Sequence, residues 1–390
     1  MIEQKAFIST STEISTETET TAYRNFIETC RSPATRLMYS KALKYFISYL
    51  RLPPKAYDRL LAKDPKTIQM DICDYITHLK RSGIVAPSSL RVYLAALRKF
   101  YVMNDVTQLN WAKIHSFLGE NEKQTEDRPY THSEIQMLLE KTTTRNRCII
   151  LLMCSTGLRV GAISSLRIRD IEPIDKYQIY KVNVYATSRK SHYFSFCTPE
   201  CRKEIDSYLE WRKRWGERLT DDSPLFRSGY NTQVQYNTDR RRAKPFQTGT
   251  IRWFVVRLLR DSGIRPVIPS TETVSATQLR RSPPRSHIMQ CHGFRKFFET
   301  NAFKAGMNNM FIRRLLGQKA GLEDSYLKVS EEDLLEGSNR HTGFVDIIDQ
   351  LTIDESNKLR REVETLKVEK SSWEALRVEV DNLKALLNKG

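Results

Sequence analysis

The chain has 390 residues, enough for two or three domains, and its 40% hydrophobic fraction supports real cores. Its net charge of +17 sits on the middle of the chain, because residues 1–30 and 341–390 are each net acidic, and so basic a body points to a polyanionic partner, most simply nucleic acid. Seven scattered cysteines, no signal peptide and no long apolar run argue against a disulfide framework, export and membrane spanning, and predict a cytoplasmic protein.

Residues 1–30 are rich in Ser, Thr and Glu and are expected to be a disordered tail. Residues 31–117 carry helical periodicity. Pro33 opens one helix with Leu37, Tyr39, Ala42, Leu43, Phe46, Ile47 and Leu50 on a broad face, and Pro53-Pro54 closes it. Asp64-Pro65 starts a second with Ile68, Ile72, Tyr75, Ile76 and Leu79. Pro87-Ser88-Ser89 starts a third with Leu90, Tyr93, Leu94, Leu97, Phe100 and Tyr101, and this one exposes Arg91, Arg98 and Lys99. Such a segment is large enough for one helical bundle domain.

The polar stretch at 118–128 reads as a linker. A second domain is expected over 129–340, opening with a helix at Thr131-His132-Ser133-Glu134. Alternation in Tyr180–Tyr185 and again in Tyr193–Phe196, around the turn Thr187-Ser188-Arg189, predicts a β-hairpin with Lys190 at its tip. Residues 200–215 and 248–262 read as helices. Residues 265–287 read as a loop holding Arg280, Arg281 and Arg285. Cys197 and Cys201 form a close pair with no second pair at zinc-finger spacing, so no metal site is expected.

Within 341–390, Leu359, Leu366, Trp373, Val380 and Leu387 recur every seven residues, with Leu376 and Leu383 three positions later and Glu362 and Glu369 breaking the pattern. This predicts a heptad helix that either packs on its own domain or forms a coiled coil. The fold expected is mainly α with a small β-hairpin: a helical bundle, an α+β catalytic domain and a C-terminal helix.

Two short stretches concentrate the chemistry. Ser155-Thr156-Gly157-Leu158-Arg159 places an arginine at a helix start, and His292-Gly293-Phe294-Arg295 spaces a histidine and an arginine by one helical turn. Leu315-Leu316-Gly317-Gln318 follows, and Tyr326 stands eight residues later. Breaking a phosphodiester without a metal needs cations on the phosphate, a proton carrier and a nucleophile. Arginine suits the first role because its planar fork reaches two oxygens at once.

This constellation resembles the tyrosine recombinase (phage-type integrase) family over roughly residues 30–340, and is most similar to integrases of archaeal proviruses and mobile elements. The resemblance implies that Arg159 and Arg295 clamp the scissile phosphate, that His292 is an acid/base, and that Tyr326 is the nucleophile. It makes Lys190 the acid for the leaving 5′ oxygen, with Arg189 the alternative at the hairpin tip. It puts Gln318 where the family usually has His, and Ala162 where an acidic residue usually buttresses the first arginine. It casts residues 31–117 as a core-binding, SAM-like domain. Arg91, Arg98, Lys99, Arg189, Arg280 and Arg281 become candidate DNA contacts. Double-stranded DNA at attachment-type sites, a homotetramer on paired sites, and no cofactor or metal are implied as well. A DNA-binding relative that has lost catalysis and a type IB topoisomerase-like enzyme stay open as alternatives.

Overall fold

The computed structural model describes residues 20–83, 85, 87–119, 127–188, 191–229, 243–265, 290–318, 329–338, 341–354, 373 and 377. Arg189, Lys190, Arg280, Arg281 and Tyr326 lie outside the described residues, as do residues 1–19 and, apart from Trp373 and Arg377, the heptad segment. The described chain divides into two units, one up to residue 119 and one from residue 127.

The first unit is helical: α1 (Thr21–Glu28), α2 (Pro33–Tyr49), α3 (Tyr57–Leu61), α4 (Pro65–Ser82), α5 (Pro87–Met103) and α6 (Trp111–Ser116). Side chains that satisfy the first free N–H groups start these helices. Ser32 accepts from Thr35 N ahead of Pro33, and Asp64 accepts from Lys66 N and Thr67 N ahead of Pro65. The core between α2, α4 and α5 holds Leu43, Phe46, Ile72, Ile76, Leu94, Leu97 and Phe100.

Two expectations need correction here. The tail expected over residues 1–30 gives way at Thr21 to a helix. Ala22, Phe26 and Ile27 share one buried face there, and the Phe26 ring meets Phe100 edge-on at 5.7 Å. Leu37, expected on the buried face of α2, is 71% exposed, because the inward stripe is carried by Ala42, Leu43, Phe46 and Ile47.

The second unit opens with α7 (His132–Glu140), started by a reciprocal capping box between Thr131 and Glu134. The central helix α8 (Thr144–Thr156) opens on the polar Thr144, Arg145, Asn146 and Arg147, and every residue from Cys148 to Thr156 is buried. After α9 (Val160–Ile163), β1 (Ile171–Ile174), β2 (Ile179–Val184) and β3 (Tyr193–Phe196) form an antiparallel sheet in the order β1-β2-β3, with Val182 opposite Ser195 and Val184 opposite Tyr193. The expected hairpin is β2–β3, and β1 adds a strand that alternation did not reveal. Four residues long with a proline inside, β1 can only be an edge strand.

The helices α10 (Pro199–Arg214), α11 (Thr248–Asp261), α12 (Gln290–Lys304), α13 (Asn309–Leu315) and α14 (Glu331–Glu336) follow. A short β4 (Gly337–Ser338) and β5 (His341–Thr342) pair, and α15 (Ile348–Leu351) closes the described fold. Both α10 and α12 pack on α8. The carboxylate of Glu200, at the start of α10, accepts from the N–H groups of Ile353 (2.9 Å) and Asp354 (3.2 Å), which fixes the segment after α15. At the far end of α10 the wholly buried Arg212 forms a two-pronged ion pair with Glu217 (3.0 and 2.6 Å), and Arg227 reaches the same carboxylate at 3.1 Å.

Candidate active site

Arg159 owes its position to the way α8 stops. Gly157 takes a left-handed conformation (φ 62°), and a Cβ there would collide with Leu316 and come within 3.0 Å of the Phe298 ring. The glycine thus permits both the turn and the close approach of α12 and the segment after α13. Leu158 buries itself, and Arg159 becomes the exposed residue ahead of α9. Ala162 is wholly buried. Among the described residues, Arg159 makes no hydrogen bond or ion pair, so nothing there replaces an acidic buttress.

Arg295 behaves in the opposite way. Only 3% exposed, its guanidinium donates through Nη1 to the Gly157 carbonyl (2.8 Å) and through Nη2 to the Leu316 carbonyl (2.9 Å). One side chain on α12 therefore ties together the turn after α8 and the turn after α13. Burial, followed by the nearby charge of Arg159, pushes the Arg295 pKa down, while Tyr193 and Glu299 act the other way. One turn earlier, His292 faces solvent. Partial burial first, then Arg295 and Lys296, hold its pKa below the ordinary value, so the neutral imidazole dominates at pH 7. The start of α12 is fixed by Tyr130, which stacks on Phe294 at 4.4 Å and donates from its hydroxyl to the Gln290 carbonyl.

In the Leu315-Leu316-Gly317-Gln318 stretch each residue has a separate task. The two leucines are buried in the core. Gly317 (φ 61°) leaves room for the Tyr193 ring, which a Cβ would meet at 2.5 Å. Gln318 donates its backbone N–H to the Arg313 carbonyl and turns its side chain toward a cleft.

That cleft, of about 570 Å³, is lined by Arg159, Tyr185, His192, Tyr193, Arg314 and Gln318, with Ser191 and apolar neighbours between them. Its described lining contains arginines, a histidine and phenols, and no carboxylate. Tyr185, the residue after β2, sits in the left-handed region (φ 54°), a strained backbone that redirects the chain out of the strand. The structure therefore brings Arg159 and Gln318 to one cleft, with Arg295 anchored behind them and His292 one turn away on α12. A larger groove of about 750 Å³ along α10 holds none of the expected site residues.

Sequence reasoning missed Tyr185, His192, Tyr193 and Arg314 as site residues. The alternation that announces β3 makes Tyr193 legible as a strand residue. Nothing in it says that the strand abuts the Gly317 turn. Cys197 and Cys201 are buried core thiols, and among the described residues no group of three or more His, Cys, Asp or Glu is placed to hold a metal. No described helix is long and apolar enough to cross a membrane.

In the first unit, Arg91 and Arg98 are exposed. Arg98 lies over the Trp111 ring at 5.9 Å, and Lys99 donates to the Thr29 carbonyl at 2.8 Å. Two of the three basic residues expected on this surface thus have partners within their own unit, and Arg91 is the more open of the exposed pair's positions for an outside phosphate.

Residues 129–321 match the phage integrase family, a match that ends just before Tyr326. Tyrosine recombinase XerC of Leptospira interrogans is 22% identical over 320 residues, which span 80% of this chain and 88% of that protein. The Tn1549 transposon integrase in complex with transposon right end DNA superposes with a TM-score of 0.52 at 14% identity, covering 80% of this chain and 96% of that one. A lambda integrase tetramer bound to a Holliday junction gives 0.51 at 15% identity, with 79% of each chain covered. Arg159, Arg295 and Gln318 all lie inside the residues that match the phage integrase family.

Proposed function

We propose that this protein is a site-specific DNA recombinase that breaks and rejoins strands through a 3′-phosphotyrosyl intermediate, integrating or excising a mobile element. The observation that supports it most is the cleft: Arg159 open to solvent, Arg295 anchored behind it, Gln318 opposite, and no carboxylate among the described lining residues. Such a surface attracts a phosphate and does not repel it.

In this reading the Tyr326 phenol oxygen attacks the scissile phosphorus, and the bond to the 5′ oxygen breaks. The phenol proton leaves to His292 or to solvent, and Lys190 protonates the departing 5′ oxygen. A 5′-hydroxyl from a partner strand then attacks the phosphotyrosine and restores the phenol. The phosphoryl bond is conserved throughout, so the cycle needs no nucleotide hydrolysis. A phenol with pKa about 10 needs a cationic field to attack near neutral pH, and Arg159 and Arg295 supply it. The first unit would grip the duplex, with Arg91 as a phosphate contact, and four copies would act on two paired attachment-type sites.

Nicked suicide duplexes, selected from a random pool for capture by the wild-type chain, test this. A covalent protein–DNA adduct is expected with wild type and none with Tyr326→Phe. Specific binding without any adduct would instead favour a DNA-binding relative with impaired cleavage, the reading that Ala162 and Gln318 support.

A further inference from the structure

Tyr193 opens β3 at the edge of the cleft. Its ring lies over Gly317 and meets Tyr185 edge-on, with centroids 6.4 Å apart. Its hydroxyl oxygen is shielded from solvent, yet has no hydrogen-bond partner among the described residues. Two guanidiniums stand near it, those of Arg295 and Arg159. The Arg295 guanidinium, already donating to the carbonyls of Gly157 and Leu316, is close enough to act on the phenol oxygen as a donor, though no hydrogen bond of normal geometry joins the two, and it offers the phenol proton no acceptor.

Buried hydroxyls are almost always paired, and an unpaired one at a binding cleft asks for a partner from outside. The surroundings set the direction of the O–H bond. Cations attract the oxygen lone pairs, so the proton points away from them. Burial raises the Tyr193 pKa more than the arginines lower it, which keeps the phenol protonated at neutral pH. Tyr193 is thus a preorganised neutral donor flanked by two positive charges, and the matching acceptor is an anionic oxygen.

We propose that Tyr193 is a substrate-contacting residue whose hydroxyl donates a hydrogen bond to a non-bridging oxygen of the phosphate held by Arg159. The identity of that phosphate as a DNA phosphodiester rests on the recombinase reading, whereas the anion site itself does not. Tyr193 is not the nucleophile in this arrangement, since the ring is clamped on Gly317 and burial holds the phenol in its protonated form.

The test uses the full chain and Tyr193→Phe, which keeps the ring on Gly317 and should leave the melting temperature equal or slightly higher. In the first arm, inorganic phosphate is titrated by calorimetry, and the variant is expected to bind roughly tenfold more weakly, the loss of one hydrogen bond to a charged group. In the second arm, single-turnover adduct formation on a selected nicked duplex should slow by a similar or larger factor at unchanged DNA affinity. A methylphosphonate at the scissile position should erase the difference between wild type and variant for one stereoisomer only, which a purely structural role would not produce. Wild-type protein that binds no phosphate, a variant equal to wild type in both arms, or an adduct mapped to Tyr193 itself would overturn the proposal. Weaker phosphate binding by the variant, with no adduct from wild type on any duplex, would uphold the anion site and remove the recombinase reading instead.

Discussion

Two groups of arginines in the second unit differ in what faces them. At the end of α10, Arg212 and Arg227 converge on the buried carboxylate of Glu217, and Arg212 also donates to the Pro224 and Leu225 carbonyls. At the cleft, Arg295 donates only to carbonyl dipoles, and Arg159 stands beside it without an ion pair among the described residues. The first group holds a carboxylate between its two arginines and is complete within the protein. The second leaves two like charges close enough to push the Arg295 pKa down. Folding gains nothing from placing the Arg159 charge beside Arg295, so the contrast separates a group whose charges are answered inside the fold from one left open to an anion.

The largest expected effect comes from breaking the completed group. Glu217→Gln strands two guanidiniums in the interior and should cost about 3–5 kcal/mol of stability, read by urea unfolding. A cost under about 1 kcal/mol would mean that Glu217 is not what compensates them, and the contrast would fail. The cleft should respond in the opposite sense. Arg159→Ala removes a cation that repels Arg295, so the unfolding midpoint should hold or rise. The rate of adduct formation should fall by roughly 10²–10³, the scale for losing one transition-state donor. Parallel losses of stability and activity would show that Arg159 fastens the fold after all. Arg295→Lys lies between the two. It keeps the charge but cannot reach both carbonyls, and should lose about 2 kcal/mol of stability together with activity.

The sequence showed the parts of this contrast unevenly. Gly157 was legible as the turn that ends an apolar run and Gly317 as part of its motif, whereas the side chains packed against both were not. The helices α10 and α11 followed from composition and period. The helix α1 did not, since the spacing of Ala22, Phe26 and Ile27 is submerged in Ser, Thr and Glu. The burial of Arg295 was out of reach. A charged side chain enters a core only where carbonyls from distant turns converge on it, and no local pattern announces that convergence. For the same reason Tyr193 read as a strand residue and not as part of a site.

A smaller effect belongs to His292, and it sharpens the contrast by asking whether the field of Arg295 reaches beyond the cleft. The folded pKa of His292 is held below its unfolded value by partial burial first and by Arg295 and Lys296 second. Below the ordinary histidine range, the unfolded chain therefore binds more protons at this position than the folded one. His292 thus disfavours the folded state as the pH falls through the unfolded pKa near 6.5 toward the depressed folded value, and has no such effect above that window. Replacing it with Gln should flatten the fall of the unfolding midpoint below about pH 6.5 and leave the midpoint at pH 8 almost unmoved. Adding Arg295→Gln or Lys296→Gln should then change the slope less than either does with His292 present. An unchanged slope in His292→Gln would mean that the imidazole is as well solvated as in the unfolded chain, and that the positive field of the cleft ends before it reaches the first turn of α12.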